Sequence, residues 1–111
     1  MISRYFKVGL NPGYGIPPVI NVNQDDHDET WTFIIIKEDG TVYTPSDASV
    51  VGELADGTVV TDSATVTDGN VVVIETEAMT AVPGRAKFEL VLDDGSHGTA
   101  NFTVKVEGRP S

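Results

Sequence analysis

The sequence predicts an all-β fold, a sandwich or barrel of short antiparallel strands. Two observations carry this. From residue 19 onward the apolar residues recur with period two, the spacing of a strand with one face in the core. Asp-Gly steps stand at 39–40, 56–57, 68–69 and 94–95, each placing glycine where a tight turn needs positive φ. Short alternating runs with turn signals every 8–12 residues or so are the pattern of a β-sandwich or barrel.

Each element follows from its own residues. Trp31, Phe33 and Ile35 alternate with Thr32, Ile34 and Ile36, apolar on both faces, which predicts a central strand. After the Glu38-Asp39-Gly40-Thr41 turn, Ala48, Val50, Gly52 and Leu54 form the next inward set, ended by Ala55-Asp56-Gly57. Thr58–Thr61 and Ala64–Thr67 read as two short strands, and the β-branched run Val71–Glu75 as another. Glu75–Val82 is the one helical candidate, a turn or two stopped by Pro83-Gly84. Ala86, Phe88, Leu90 and Leu92 point inward, and so do Ala100, Phe102, Val104 and Val106 on the partner strand.

At 111 residues the chain has the length of one domain, and 40% hydrophobic residues suffice for a core. Without cysteine there is no disulfide, thiolate metal site or cysteine nucleophile. Seven Lys plus Arg against 17 Asp plus Glu give a net charge of −10. That field repels nucleic-acid phosphates and anionic membrane surfaces, so neither is expected as a partner. The N-terminal residues lack an apolar signal-peptide core, and no apolar run is long enough to span a bilayer. A soluble protein made without Sec export is expected.

Residues 1–18 read as an extended N-terminal arm, 19–108 as the β-domain and 109–111 as a tail. Asn11–Pro18 holds three prolines and two glycines, yet the arm carries Tyr5, Phe6, Leu10, Tyr14 and Ile16. That much apolar surface either folds back on its own core or docks on another subunit, which makes these five residues partner-interface candidates.

The acidic stretch Asp25-Asp26-His27-Asp28-Glu29 precedes the only tryptophan. It reads either as a polar crossing between strands or as a calcium site through Asp25, Asp26 and Asp28. EF-hand spacing is absent, however, and His27 with His97 makes a weak zinc pair. No catalytic residue is predicted. A Gly-x-Ser-x-Gly elbow is missing, Ser96-His97 falls at a hairpin tip, and Gly13-Tyr14-Gly15 precedes prolines rather than a helix N-terminus. No cofactor is expected. Trp31 heads an inward row and reads as core.

The order of segments resembles the N-terminal domain of phage baseplate upper proteins from phages and prophages of Gram-positive bacteria. The resemblance runs from about residue 19 to 107. It is carried by Gln24-Asp25, the strand Thr30–Ile36, Val50-Val51-Gly52-Glu53-Leu54-Ala55-Asp56-Gly57, Gly69–Ile74, Pro83-Gly84, Ala86-Lys87-Phe88-Glu89-Leu90 and Gly98–Val106. It implies an immunoglobulin-like antiparallel β-sandwich of about seven to eight strands. It also implies a non-enzymatic virion protein, made in the host cytoplasm, that links the tail hub to receptor-binding parts. Other tail and baseplate proteins and further copies of the chain would be its partners. Family members usually continue into a receptor-binding C-terminal region, whereas this sequence ends at Gly108-Arg109-Pro110-Ser111; that region is expected on another chain, or the domain stands alone. The alternative is a carbohydrate-binding immunoglobulin-like module, which would need Trp31 or Tyr43 exposed on a sheet face.

Overall fold

The computed structural model describes residues 3–10, 17–93 and 98–108. Among them it is all-β apart from short 3₁₀ geometry, chiefly the turn Glu77–Thr80. The strands are β1 Ser3–Gly9, β2 Val19–Asn23, β3 Thr30–Ile36, β4 Val42–Tyr43, β5 Ala48–Glu53, β6 Val59–Thr67, β7 Asn70–Ile74, β8 Gly84–Leu92 and β9 Thr99–Glu107. Their hydrogen-bonded order is β1-β3-β7-β6-β5-β8-β9-β2, with β4 pairing the end of β3.

One strand joins the two halves of this path. β6 pairs β5 through residues 59–64 and β7 through residues 65–67. The two short strands read at 58–61 and 64–67 are therefore one strand, whose single alternation runs unbroken from Val59 to Thr67. It hands the sheet over from one layer to the other, so the sheet curls on itself as a half-barrel. The Asp68-Gly69 step between β6 and β7 has both residues at positive φ, 52° and 81°. This is the two-residue turn whose twist matches a hairpin.

Two pairings depart from the antiparallel expectation: β1 runs parallel to β3, and β2 parallel to β9. The reason is the route of the chain. β2 lies between β1 and β3 in sequence but sits at the opposite end of the path, on β9. A strand thus serves as the crossover that parallel neighbours require, and β1 and β3 emerge in the same direction. The first part of the residue 1–18 segment is strand β1, seated along β3 from Ser3↔Thr30 to Gly9↔Ile36. Beyond it, Leu10 donates its amide to the Ile36 carbonyl at 2.9 Å and bridges Ala100 of β9. Here the two ends of the path approach each other.

The core lies inside the curl. β3 is central, flanked by β1 on one side and by β7 and β4 on the other. Its inward row Trp31, Phe33 and Ile35 is fully buried. Phe102 of β9 meets this row from the opposite layer, with its ring centroid 4.6 Å from Phe33, 6.1 Å edge-on from Trp31 and 5.3 Å from Phe88. Phe88 needs space in return. It pairs Gly52 on β5, and a Cβ there would lie 2.3 Å from the Phe88 ring.

The segment 75–82 yields only the 3₁₀ turn. Thr76 at its start is extended and makes no side-chain cap, and the strand Gly84–Leu92 resumes directly after Pro83. At the other end of the curl, Asp93 ties the β4–β5 connection to β8. Its Oδ1 accepts from the Ser46 and Asp47 amides at 2.8 and 3.1 Å, and its Oδ2 accepts from the Tyr43 hydroxyl.

Phe102→Ala should cost about 3–5 kcal/mol of unfolding free energy, because a large aromatic is removed from an enclosed core. Gly52→Ala should cost about 1–3 kcal/mol through overpacking. Phe88→Leu in the same chain should return part of the Gly52→Ala loss. Urea unfolding followed by tryptophan fluorescence measures all three.

Candidate functional site

The acidic stretch lies at the end of the curl where β2 finishes and β3 begins. It is stitched to the 3₁₀ turn across the gap. The Asp25 amide donates to the Thr80 carbonyl at 3.0 Å, the Thr80 hydroxyl to the Asp26 carbonyl at 2.7 Å, and the Gln24 side-chain amide to the Ala81 carbonyl at 2.9 Å. Asp25 and Asp28 both sit at positive φ, 66° and 70°, a conformation that aspartate tolerates better than most residues. The side chains are engaged locally: Asp26 Oδ2 accepts from the Asn23 amide at 3.0 Å, and Asp28 Oδ2 lies 2.8 Å from His27 Nδ1. The neighbouring Asp28 carboxylate raises the pKa of His27 above its ordinary value. Among the described residues, no three His, Asp or Glu side chains gather in a way that could hold a metal ion.

The charged centre of this end is elsewhere. Glu29 and Glu75 are both buried, at 7% and 2% exposure. Glu29 pairs with the Arg4 guanidinium of β1, and its Oε1 accepts from the Trp31 indole N–H at 2.8 Å. Glu75 Oε1 accepts from the Glu29 amide at 3.3 Å, whereas its Oε2 is buried without a hydrogen-bond partner. Two backbone bonds close the seam, from the Glu75 amide to the Glu29 carbonyl at 2.8 Å and from the Asp28 amide to the Glu75 carbonyl at 2.9 Å. Burial pushes the Glu75 carboxyl up to about 7. The charges of Glu29 and Asp26 push the same way, while the Glu29 amide and Arg4 oppose them. A carboxylic acid that keeps its proton near neutral pH avoids much of the cost of a second buried charge.

Sequence reasoning missed this trio, though period two contains the signal. Arg4 shares a face with Phe6 and Val8, Glu29 lies two residues before Trp31, and Glu75 lies two residues after Val73. Each is the outermost position of an inward row. The rows converge because β1, β3 and β7 are neighbours, a fact that only the fold supplies.

The partner-interface candidates divide. Tyr5 is 70% exposed on the outward side of β1. Phe6 faces inward and stacks on Phe33 with centroids 5.5 Å apart. Leu10 is half-buried at the bridge to β9. Tyr14 and Ile16 lie outside the described residues, as do Ser96 and His97. Trp31 is fully buried, and the Tyr43 hydroxyl is held by Asp93, which drives its pKa up to about 12. On the outer face of β8 and β9, Pro17, Lys87, Glu89, Asn101 and Thr103 line a depression of about 350 Å³. It contains no histidine and only one carboxylate. No helix among the described residues is long and apolar enough to cross a membrane.

No family model matches this chain. No curated protein matches it either. Among solved structures, the chain is similar to one described as the N-terminal domain of phage TP901-1 ORF48. The TM-score is 0.66, and the match covers 96% of this chain and 99% of that one at 15% identity. At that identity the likeness is one of fold.

The Glu75 carboxyl binds its proton more tightly in the folded chain than in the unfolded one. Its contribution to stability is therefore full below the ordinary carboxyl value and is lost as pH rises through about 7. Glu75→Gln, which carries no charge, should escape that loss. Between pH 5 and pH 8 the variant should gain on the parent chain by on the order of 2–3 kcal/mol, read from urea unfolding at each pH. Arg4→Met should destabilise by about 1–3 kcal/mol at pH 8, since it strands the Glu29 carboxylate in a buried position.

Proposed function

We propose that this protein is a non-enzymatic structural component of a phage or prophage tail baseplate, an assembly module that binds other tail proteins and further copies of itself. The observation that carries the reading is the full-length fold likeness to a phage protein domain, the N-terminal domain of phage TP901-1 ORF48. The order of sequence segments supports the same assignment from an independent direction. In this reading the two halves of the curled sheet, one around β3 and the other around β8, correspond to the layers of an immunoglobulin-like sandwich.

The module would link the tail hub to receptor-binding parts. It would be made in the host cytoplasm and carried in the virion. Tyr5, at 70% exposure on the outward side of β1, is the interface candidate best placed to reach a neighbour. Phe6 and Leu10 face the core and would hold β1 in position for it. The net charge of −10 suits a partner with a basic surface at the acidic rim around residues 25–29. The carbohydrate-binding reading needs Trp31 or Tyr43 exposed on a sheet face; Trp31 is at 0% exposure, and Tyr43 is half-buried with its hydroxyl held by Asp93.

Antibody raised against the chain should decorate the tail tip of purified virions in negative-stain electron microscopy. The protein should also be present by mass spectrometry after the virions are separated from soluble lysate. A chain found only in the soluble fraction, with undecorated tails, rejects the assignment.

A further inference from the structure

The outward side of β1, β3, β4 and β7 carries Tyr5, Ile34, Ile36, Val42, Val72 and Ile74 among Ser3, Lys7, Thr30, Thr32 and Asn70. Register places Tyr5 beside Thr32 and Thr32 beside Val72, Thr30 beside Ile74, and Ile36 beside Val42. Ile34 lies between these rows, next to Lys7. Tyr5, Val42 and Ile74 are 70%, 51% and 57% exposed. A contiguous apolar patch on a water-soluble protein marks an interaction surface.

The charge pattern identifies the occupant. The chain carries 17 acidic residues, yet none lies among the outward residues of these four strands, where Lys7 is the one charge. The outer face of the other half, by contrast, carries Glu53, Lys87, Glu89 and Lys105. A basic partner would be drawn to the acidic rim at residues 25–29, because the apolar face offers it no carboxylate. Two copies of a chain at −10 repel each other, and this face is where they can meet without opposing carboxylates. β1 adds a further reason. Among the described strands it is the last on its side of the path, bridged to β9 through Leu10 just beyond its end, and strand edges are normally covered or defended.

We propose that this face, through Tyr5, Ile34, Ile36, Val42, Val72 and Ile74, is where a second copy of the chain docks in an isologous two-fold contact. The inference rests on the self-association in the proposed function and not on the phage assignment. Virion labelling tests the assignment, and mass in solution tests the contact.

The experiment is sedimentation equilibrium of the full chain from about 5 µM to about 500 µM, at about 0.15 M and about 0.5 M NaCl. A monomer–dimer equilibrium is expected that tightens with salt, since salt screens the mutual repulsion and leaves apolar burial intact. Tyr5→Glu and Ile74→Glu should each weaken the dimer about tenfold or more, with circular dichroism and melting temperature near those of the parent. Val59→Glu serves as the control: Val59 is 63% exposed, at the end of β6 that pairs β5 in the other half of the sheet, and this change should leave the dimer as it was. Monomer across the whole concentration range overturns the proposal. So does a dimer that folded Tyr5→Glu and Ile74→Glu variants leave unchanged, or an assembly larger than two.

Discussion

The contact between Phe33 and Phe102 is the one on which the rest of this structure depends. The two rings stand 4.6 Å apart and belong to opposite halves of a single curled sheet. β6 can carry the backbone from one half to the other, but a bent strand does not by itself bring two faces together. Burial of large aromatic surface does. Phe102 also touches Trp31 and Phe88, so one side chain gathers the inward rows of β3, β8 and β9. Gly52 completes the arrangement by leaving out the Cβ that would meet the Phe88 ring.

Once the halves are closed, the ends of the path become the exposed parts of the design. β1 and β2 are consecutive in sequence and lie at opposite ends of the path. Each seats itself in parallel on a long strand, β1 on β3 and β2 on β9. The bridge from Leu10 to Ala100 draws the two ends towards each other at one end of the curl. At the other end the closure is polar. Arg4, Glu29, Glu75 and the Trp31 indole N–H meet where three inward rows run out, and the acidic loop is bonded to the 3₁₀ turn beside them. The orphaned Glu75 Oε2 is consistent with a carboxyl that holds its proton near neutral pH.

The acidic stretch illustrates how far local reading reaches. As a string it reads either as a polar crossing between strands or as a calcium site. In the fold, Asp26 and Asp28 serve nearby backbone and histidine groups, and Glu29 turns inward beside Glu75, because it continues the alternation of Trp31 and Phe33. The interface candidates divide for the same reason. Tyr5 and Phe6 are adjacent, so a strand necessarily sends one outward and the other into the core.

The sequence by itself determined the all-β class, the inward residues of β3, β5, β8 and β9, the turns at the Asp-Gly steps 39–40, 56–57 and 68–69, the central place of β3 and the exclusion of cysteine chemistry. These are properties of period two, of turn stereochemistry and of composition, and each is local. Only the tertiary structure decided which strands are neighbours. It made two of the pairings parallel, joined residues 59–67 into one strand, and brought Arg4, Glu29 and Glu75 together from positions up to 71 residues apart. It also assembled the outward apolar residues of four strands into one acid-free face. Alternation states which side of its own strand a residue occupies. It carries no information about which strand lies alongside, because that choice is made by the burial of the whole core at once.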